Sequence, residues 1–376
     1  MLTSSTLLMV IFGLLVGLIA GFVMYRSDYC LAGMFRNAIM FRNMFMLRIL
    51  FLQIVFTAVI FEIARQSGLL PLYPFPILSA PSPANLIGGF VFGVGMVLAG
   101  GCVVGTLYKM GAGSIISLVA FIGLICGCGL YAEIHPWWGP FVKASTFFKG
   151  SITIPQLLGI DPLGLVILFC LPSMVVLWNW HRQDKWERPA EVKGYIQPWK
   201  TAIILALLGL FSYLAVGVPL GITTTYVKLA AMLENVFSPS HVSSVQYFKV
   251  MSLDVVHPFT GVTLKGGPGP EIDSIWFIQF PVIVGIILGS YFSALQLKEF
   301  TVYYKVPIKQ VVTAFAGGVI LGLAARMTPS CNIWHLLGGI PIFAMQSLLF
   351  LVGLVPGTWL GGIILLRILN NKVGKG

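Results

Sequence analysis

Three cysteines stand at matched places in the chain. Cys30, Cys102 and Cys331 each follow a glycine by nine residues, namely Gly21, Gly93 and Gly322. In "RMTPSCNIWHLLGG" (326–339) Thr328, Pro329 and Ser330 lead into Cys331, and Ser27, Asp28 and Tyr29 lead into Cys30. A hydroxyl three residues ahead of the cysteine reads as a helix N-cap, with Pro329 at the first helical position. The cysteine is then expected third in the helix, among unpaired backbone N–H groups and the positive end of the dipole. In Gly100-Gly101-Cys102, with Gly105 following, glycines replace the cap and admit a close approach. Such an opening attracts an anion. A thiol, being a weak donor and a soft acceptor, suits another sulfur better than it suits oxygen.

Basic residues flank the three openings: Arg26 four before Cys30, Lys109 seven after Cys102 and Arg326 five before Cys331. A basic residue inside a membrane segment is a functional candidate, although one near a span end can snorkel to the interface. "GVPLGITTTY" (217–226) offers a further break at Gly221 without a cysteine. His335 lies one turn past Cys331 and either faces the same path or packs. Cys126, Cys128 and Cys170 are mid-span and read as small hydrophobes. Arg36, Arg42 and Arg48 read as basic residues marking the cytoplasmic side. Tyr108, Trp334, Trp137 and Trp138 read as packing and interface anchors, and Glu62 and Glu133 as interfacial acids. No Cys-x-x-Cys, no spaced histidine pair and no cofactor motif occurs, so neither a metal nor a cofactor is expected.

The elements that must hold these residues are membrane spans. The 376 residues are 57% hydrophobic and 9% charged, against about 25% charged in soluble domains. Apolar runs at or near membrane-span length recur. They give an all-α integral membrane protein of about nine spanning units, roughly 6–25, 44–64, 86–101, 114–132, 160–180, 200–220, 275–296, 310–325 and 346–368. The first has no basic n-region and reads as a retained span. The segments 86–101 and 310–325 look short and end in breaks, as halves of discontinuous helices do. Basic clusters at 182–200, 298–309 and 367–375 place the C-terminus in the cytoplasm and the N-terminus outside, in a bacterial inner membrane. The net charge of +11 is mostly of this juxtamembrane kind and does not point to nucleic acid.

"GGFVFGVGMVLAGGC" (88–102) and "GGVILGLAARMTPSC" (317–331) align without a gap. Breaks after spans one and three then face one side and those after spans six and eight the other. The chain divides into a first repeat at 1–134, a linker at 135–200 containing an outer loop, span five and a basic loop, and a second repeat at 201–376. An outer segment at 222–274 belongs to the second repeat. Inverted repeats with broken helices put a substrate site near the midplane.

The motifs "RSDYCLAGMFRN" (26–37), "GVGMVLAGGCVVGTLYKMGAG" (93–113) and "GGVILGLAARMTPSCNIWHLLGG" (317–339) resemble the YeeE/YedE family of sulfur-transport membrane proteins. The likeness covers nearly the whole chain apart from 223–273, which is expanded here. It implies an hourglass-shaped helical fold with short helices dipping in from both faces. It also implies a path lined by Cys30, Cys102 and Cys331, along which thiosulfate passes by S–H···S contacts to a TusA-like cytoplasmic sulfur carrier. Some members go with selenium metabolism, so a selenium compound is the alternative cargo. A membrane thiol oxidoreductase using the same cysteines is the rival of a different class. The expectation is a transporter and not an enzyme.

Overall fold

The computed structural model describes residues 4–188, 193–257 and 259–370. Its helices follow the hydropathy closely. In chain order they are α1 (Ser4–Ser27), α2 (Leu31–Phe41), α3 (Phe45–Gln66), α4 (Pro83–Leu98), α5 (Val103–Gly111), α6 (Ile115–Ser145), α7 (Ile154–Leu158) and α8 (Pro162–Arg182). There follow α9 (Pro198–Val216), α10 (Thr223–Phe237), α11 (Pro239–Ser244), α12 (Ser274–Gln296), α13 (Ile308–Met327) and α14 (Met345–Asn370). Among the described residues, nine segments are long and apolar enough to cross a membrane, matching the expected spans. The shortness expected of the eighth span is not found. α13 has 20 residues because its two ends carry Lys309 and Arg326, which a hydropathy reading trims away. α6 likewise runs through Pro136 and Pro140 to Ser145, past the boundary expected at 134.

The pairing of helices is set by the glycines counted above. α1 lies along α12, α4 along α14 and α13 along α6, while α4 and α13 cross each other. At Gly21 an added Cβ would meet the carbonyl oxygen of Ile286 at 2.1 Å; at Gly93 it would meet that of Leu354 at 2.5 Å, and at Gly322 that of Leu124 at 2.1 Å. These are helix-on-helix contacts that only glycine allows, the small-residue packing expected in membranes. The nine-residue spacing thus has a structural meaning: each cysteine lies one fixed stretch beyond a helix contact. The Gly-Gly pairs behave alike. Gly89 and Gly318 face backbone of α14 and α6, and Gly88 and Gly317 face the partner across the α4–α13 crossing. Exchanging 1–145 with 198–370 maps α4 on α14 onto α13 on α6, and α1 on α12 onto α9 on α3.

α8 leans on α3 and leaves Leu168, Leu171, Met174, Val175 and Trp178 exposed, as a peripheral lipid-facing span would. The 222–274 segment is ordered by α10, α11, a single turn at Gln246–Lys249, and a hairpin of β1 (Leu253–Val256) and β2 (Thr263–Gly266) paired antiparallel. Leu253 and Leu264 bury against Met9, Val216, Ile275 and Ile278, which pins the hairpin to the ends of α1, α9 and α12.

Candidate functional site

The α1–α2 and α4–α5 breaks are built alike, and not in the way expected. α1 ends in a Schellman turn: Tyr29 N–H donates to Met24 O (2.9 Å) and Asp28 N–H to Tyr25 O (3.2 Å). α4 ends in the same way, with Gly101 N–H to Met96 O (3.1 Å) and Gly100 N–H to Val97 O (3.2 Å). The left-handed residue that this turn needs is Asp28 in one case (φ 49°) and Gly100 in the other (φ 72°). Two residues later comes the cysteine, which is itself the N-cap of the next helix. Cys102 Sγ accepts from Gly105 N–H at 3.3 Å. Cys331 likewise directly precedes the helical turns that begin at residue 332.

The cysteines are therefore caps rather than third helical residues, and the hydroxyls serve the helix behind them. Ser27 Oγ donates to Val23 O (2.7 Å) and Thr328 Oγ1 to Ala324 O (3.2 Å), a back-bond open to any Ser or Thr at a helix end. Pro329 and Ser330 lie in the turn between helices, so Pro329 is not at a first helical position.

Cys30 and Cys102 are hydrogen-bonding neighbours. A Cβ on Gly105 would lie 3.3 Å from both sulfurs, so the missing side chain there makes room for the pair. Cys30 also lines a polar cavity of about 450 Å³ with Asp28, Arg36, Gly100, Lys109, Glu187 and Arg188. Lys109 Nζ donates to Gly100 O at 2.8 Å, tying the α5 C-terminus to the glycine turn. On the other side of the pair, Cys331 lines an apolar cavity of about 30 Å³ with Tyr29, Leu31, Val104, Gly221 and Ile222. That is room for a water or two. All three thiols are buried, Cys102 completely.

Several buried polar groups near the thiols lack protein partners. The Tyr108 hydroxyl faces Cys30, the Tyr226 hydroxyl lies near Cys331 and Cys102, and both amide atoms of Asn332 and the Trp334 Nε1 are likewise unpaired. Trp334 stacks its ring against Gly221, and backbone N–H groups of Ile333 and Trp334 face the Cys331 thiol. Unpaired buried donors are rare in native proteins and need an explanation. Their sequence signal was weak, since a tyrosine or tryptophan in a span is first read as packing.

Arg326 is buried and turned toward α10. Its Nε and Nη2 donate to Tyr247 Oη (3.0 and 2.8 Å), and Nη1 to Thr223 and Thr224 (3.3 and 3.2 Å). Arg26 does not join the thiols. It bonds Ser293, Gln296 and the Gly194 carbonyl and lies over Phe22, clamping α1 to α12 and the basic loop. His335 is satisfied on both nitrogens, by Thr328 O (2.9 Å) and Ser347 Oγ (3.0 Å), and stacks on Phe350; it packs and does not line a cavity. Glu62 pairs with Arg65, which also reaches Asp161.

A family profile described as Sulphur transport matches residues 26–360. The thiosulfate transporter TsuA of Spirochaeta thermophila is 29% identical over 374 residues, covering 94% of this chain and 98% of that protein. The thiosulfate transporter TsuA of Escherichia coli K12 is 26% identical over 354 residues, covering 93% of each. A probable transporter, YedE of Escherichia coli K12, is 23% identical over 164 residues, 44% of this chain and 36% of that protein.

Proposed function

Since the chain belongs to the sulphur-transport family, we propose that it is a sulfur-anion transporter whose cargo is thiosulfate, carried inward through a path of three thiols. The observation that carries this reading is the arrangement of the cysteines. Cys331 sits at one apolar constriction, and the adjacent Cys102 and Cys30 lead into a basic, water-sized cavity on the far side. Thiosulfate has a soft terminal sulfur and hard oxygens. The thiols offer S–H contacts to the sulfur, and Tyr108, Tyr226, Asn332 and Trp334 offer donors to the oxygens. No covalent step is required.

The geometry is that of a closed state. The constriction at Cys331 holds less than the anion needs, so passage requires the half-helix openings to move. In this account the anion enters past Arg326, meets Cys331, then Cys102 and Cys30, and leaves through the cavity lined by Lys109, Arg36 and Arg188. A cytoplasmic TusA-like sulfur carrier takes it there, the protein lying in the bacterial inner membrane with its C-terminus inside. Labelled thiosulfate uptake by cells without other routes tests the cargo. Expression of the chain should restore uptake, and excess sulfate should compete poorly. Equal competition by sulfate would contradict a sulfur-reading path, and stronger competition by selenite would redirect the proposal to a selenium compound.

The closeness of Cys30 and Cys102 also suits a disulfide, which is what a thiol oxidoreductase would need. Thiol titration after mild oxidant separates the readings. A carrier keeps both thiols reduced through turnover, and transport coupled to loss of two thiols would favour the oxidoreductase.

A further inference from the structure

Arg326 and Lys228 are both buried cations of the second half, and they are treated differently. Lys228 Nζ meets the Asp273 carboxylate at 2.6 Å and the carbonyls of Gly269 and Glu271. Arg326 has no carboxylate within ion-pair distance among the described residues. Its contacts are neutral hydroxyls, although it is only 7% exposed. Desolvating a guanidinium without a counter-charge is strongly unfavourable, and such a charge is retained where an anion comes to it.

The way the fork is filled is informative. Nε and Nη2 form the edge that normally grips two oxygens of a carboxylate or phosphate. Here both converge on the single oxygen of Tyr247. Tyr247 belongs to the Gln246–Lys249 turn of the outer segment, and its ring packs on Tyr131 and His135. Thr223 and Thr224, which hold the other side of the guanidinium, immediately follow the Gly221 and Ile222 that line the Cys331 cavity. They also open α10, whose first N–H groups and dipole add positive potential.

We propose that the Arg326 fork is a binding site for two oxygens of a tetrahedral sulfur oxyanion, and that Tyr247 is its displaceable occupant, a lid carried by the outer segment. This deepens the transport reading and rests on it, by assigning the oxygen end of the anion to Arg326 and the sulfur end to the thiols. Arrival of the anion exchanges one phenol oxygen for two charged oxygens and frees the 246–249 turn. An empty site is closed by a neutral group, which keeps the guanidinium from an open path to water.

The test uses purified full-length protein in detergent, with thiosulfate and sulfate as probes, and reads equilibrium dissociation constants. Tyr247→Phe keeps the ring and its contacts but removes the competing oxygen. It should tighten binding of both anions by about fivefold, the scale of one lost hydrogen bond. Arg326→Lys replaces the fork with a point charge and should weaken both by about tenfold or more. The Tyr247 effect should persist in a Cys102→Ala, Cys331→Ala background. Dissociation constants unchanged by Tyr247→Phe would overturn the proposal even if the cysteine variants abolish transport. Loss of transport dependence on the cysteines, with the Tyr247 effect intact, would instead sink the thiol path alone.

Discussion

The two halves of this protein use one plan for different ends. In the first half, both breaks are Schellman turns that deliver a capping cysteine, and the two cysteines meet across Gly105 beside a polar cavity. In the second half, the α9 break at Gly217–Ile222 has no cysteine, and the α13 break has Cys331 alone. What the second half adds is charge: a guanidinium without an acid, roofed by a tyrosine from the 222–274 segment. Matched helix contacts at Gly93 and Gly322 keep the frame common while the openings diverge. Division of labour follows, with one half suited to the sulfur of the anion and the other to its oxygens.

The contrast within the second half gives the largest expected effect. Asp273 caps α12 through Trp276 N–H and neutralises Lys228. Asp273→Asn retains a capping oxygen but leaves Lys228 with neutral acceptors only. A loss of about 3 kcal/mol in unfolding stability is expected, the scale for breaking a buried pair. Detergent-phase denaturation would measure it. A change under about 0.5 kcal/mol, the surface-substitution scale, would mean that buried cations here need no counter-charge, which would also remove the significance of Arg326.

The first-half pairing is probed by Gly105→Ala. The methyl would press on both sulfurs at 3.3 Å, tighter than ordinary contact, with backbone fixed on either side. Uptake should fall by about tenfold, equivalent to about 1.4 kcal/mol, while expression and melting behaviour stay near the parent. Unaltered uptake would show that the two thiols need not touch.

Much of this architecture was legible in sequence because its physics is local. Spans follow from hydropathy, and the Gly-to-Cys register follows from the need for close helix contacts. The capping pattern misled for an equally local reason: Ser27 and Thr328 can bond either the helix ahead or the helix behind, and sequence does not say which. The left-handed turn at Asp28 was hidden because the usual glycine signal is absent there. The direction taken by Arg26, and the reach of Tyr247 to Arg326, depend on partners 267 and 79 residues away in the chain. Spacing carries no information at such separations. His335 was readable as either path or packing, and its two hydrogen bonds make it packing.

The smallest effect concerns how the outer segment is fastened. His241 of α11 contacts Glu234 of α10 and lies 3.7 Å from Glu133 of α6. The Glu234 hydrogen bond, and then the Glu133 charge, raise its pKa above the ordinary imidazole value. Its contribution is therefore complete below the unfolded value of about 6.5 and is lost as pH rises through the raised folded value. Parent and His241→Gln melting temperatures should differ slightly in mildly acidic buffer and converge in alkaline buffer. A gap that widens with pH would contradict the clasp.

The central claim is that cargo passes thiol to thiol, and reconstituted uptake tests it most directly. Labelled thiosulfate should enter proteoliposomes containing the parent protein and should enter equally with Cys126→Ala or Cys170→Ala. With Cys102→Ala or Cys331→Ala it should fall to the empty-vesicle level. Parent-like uptake by either of the last two variants would contradict the account.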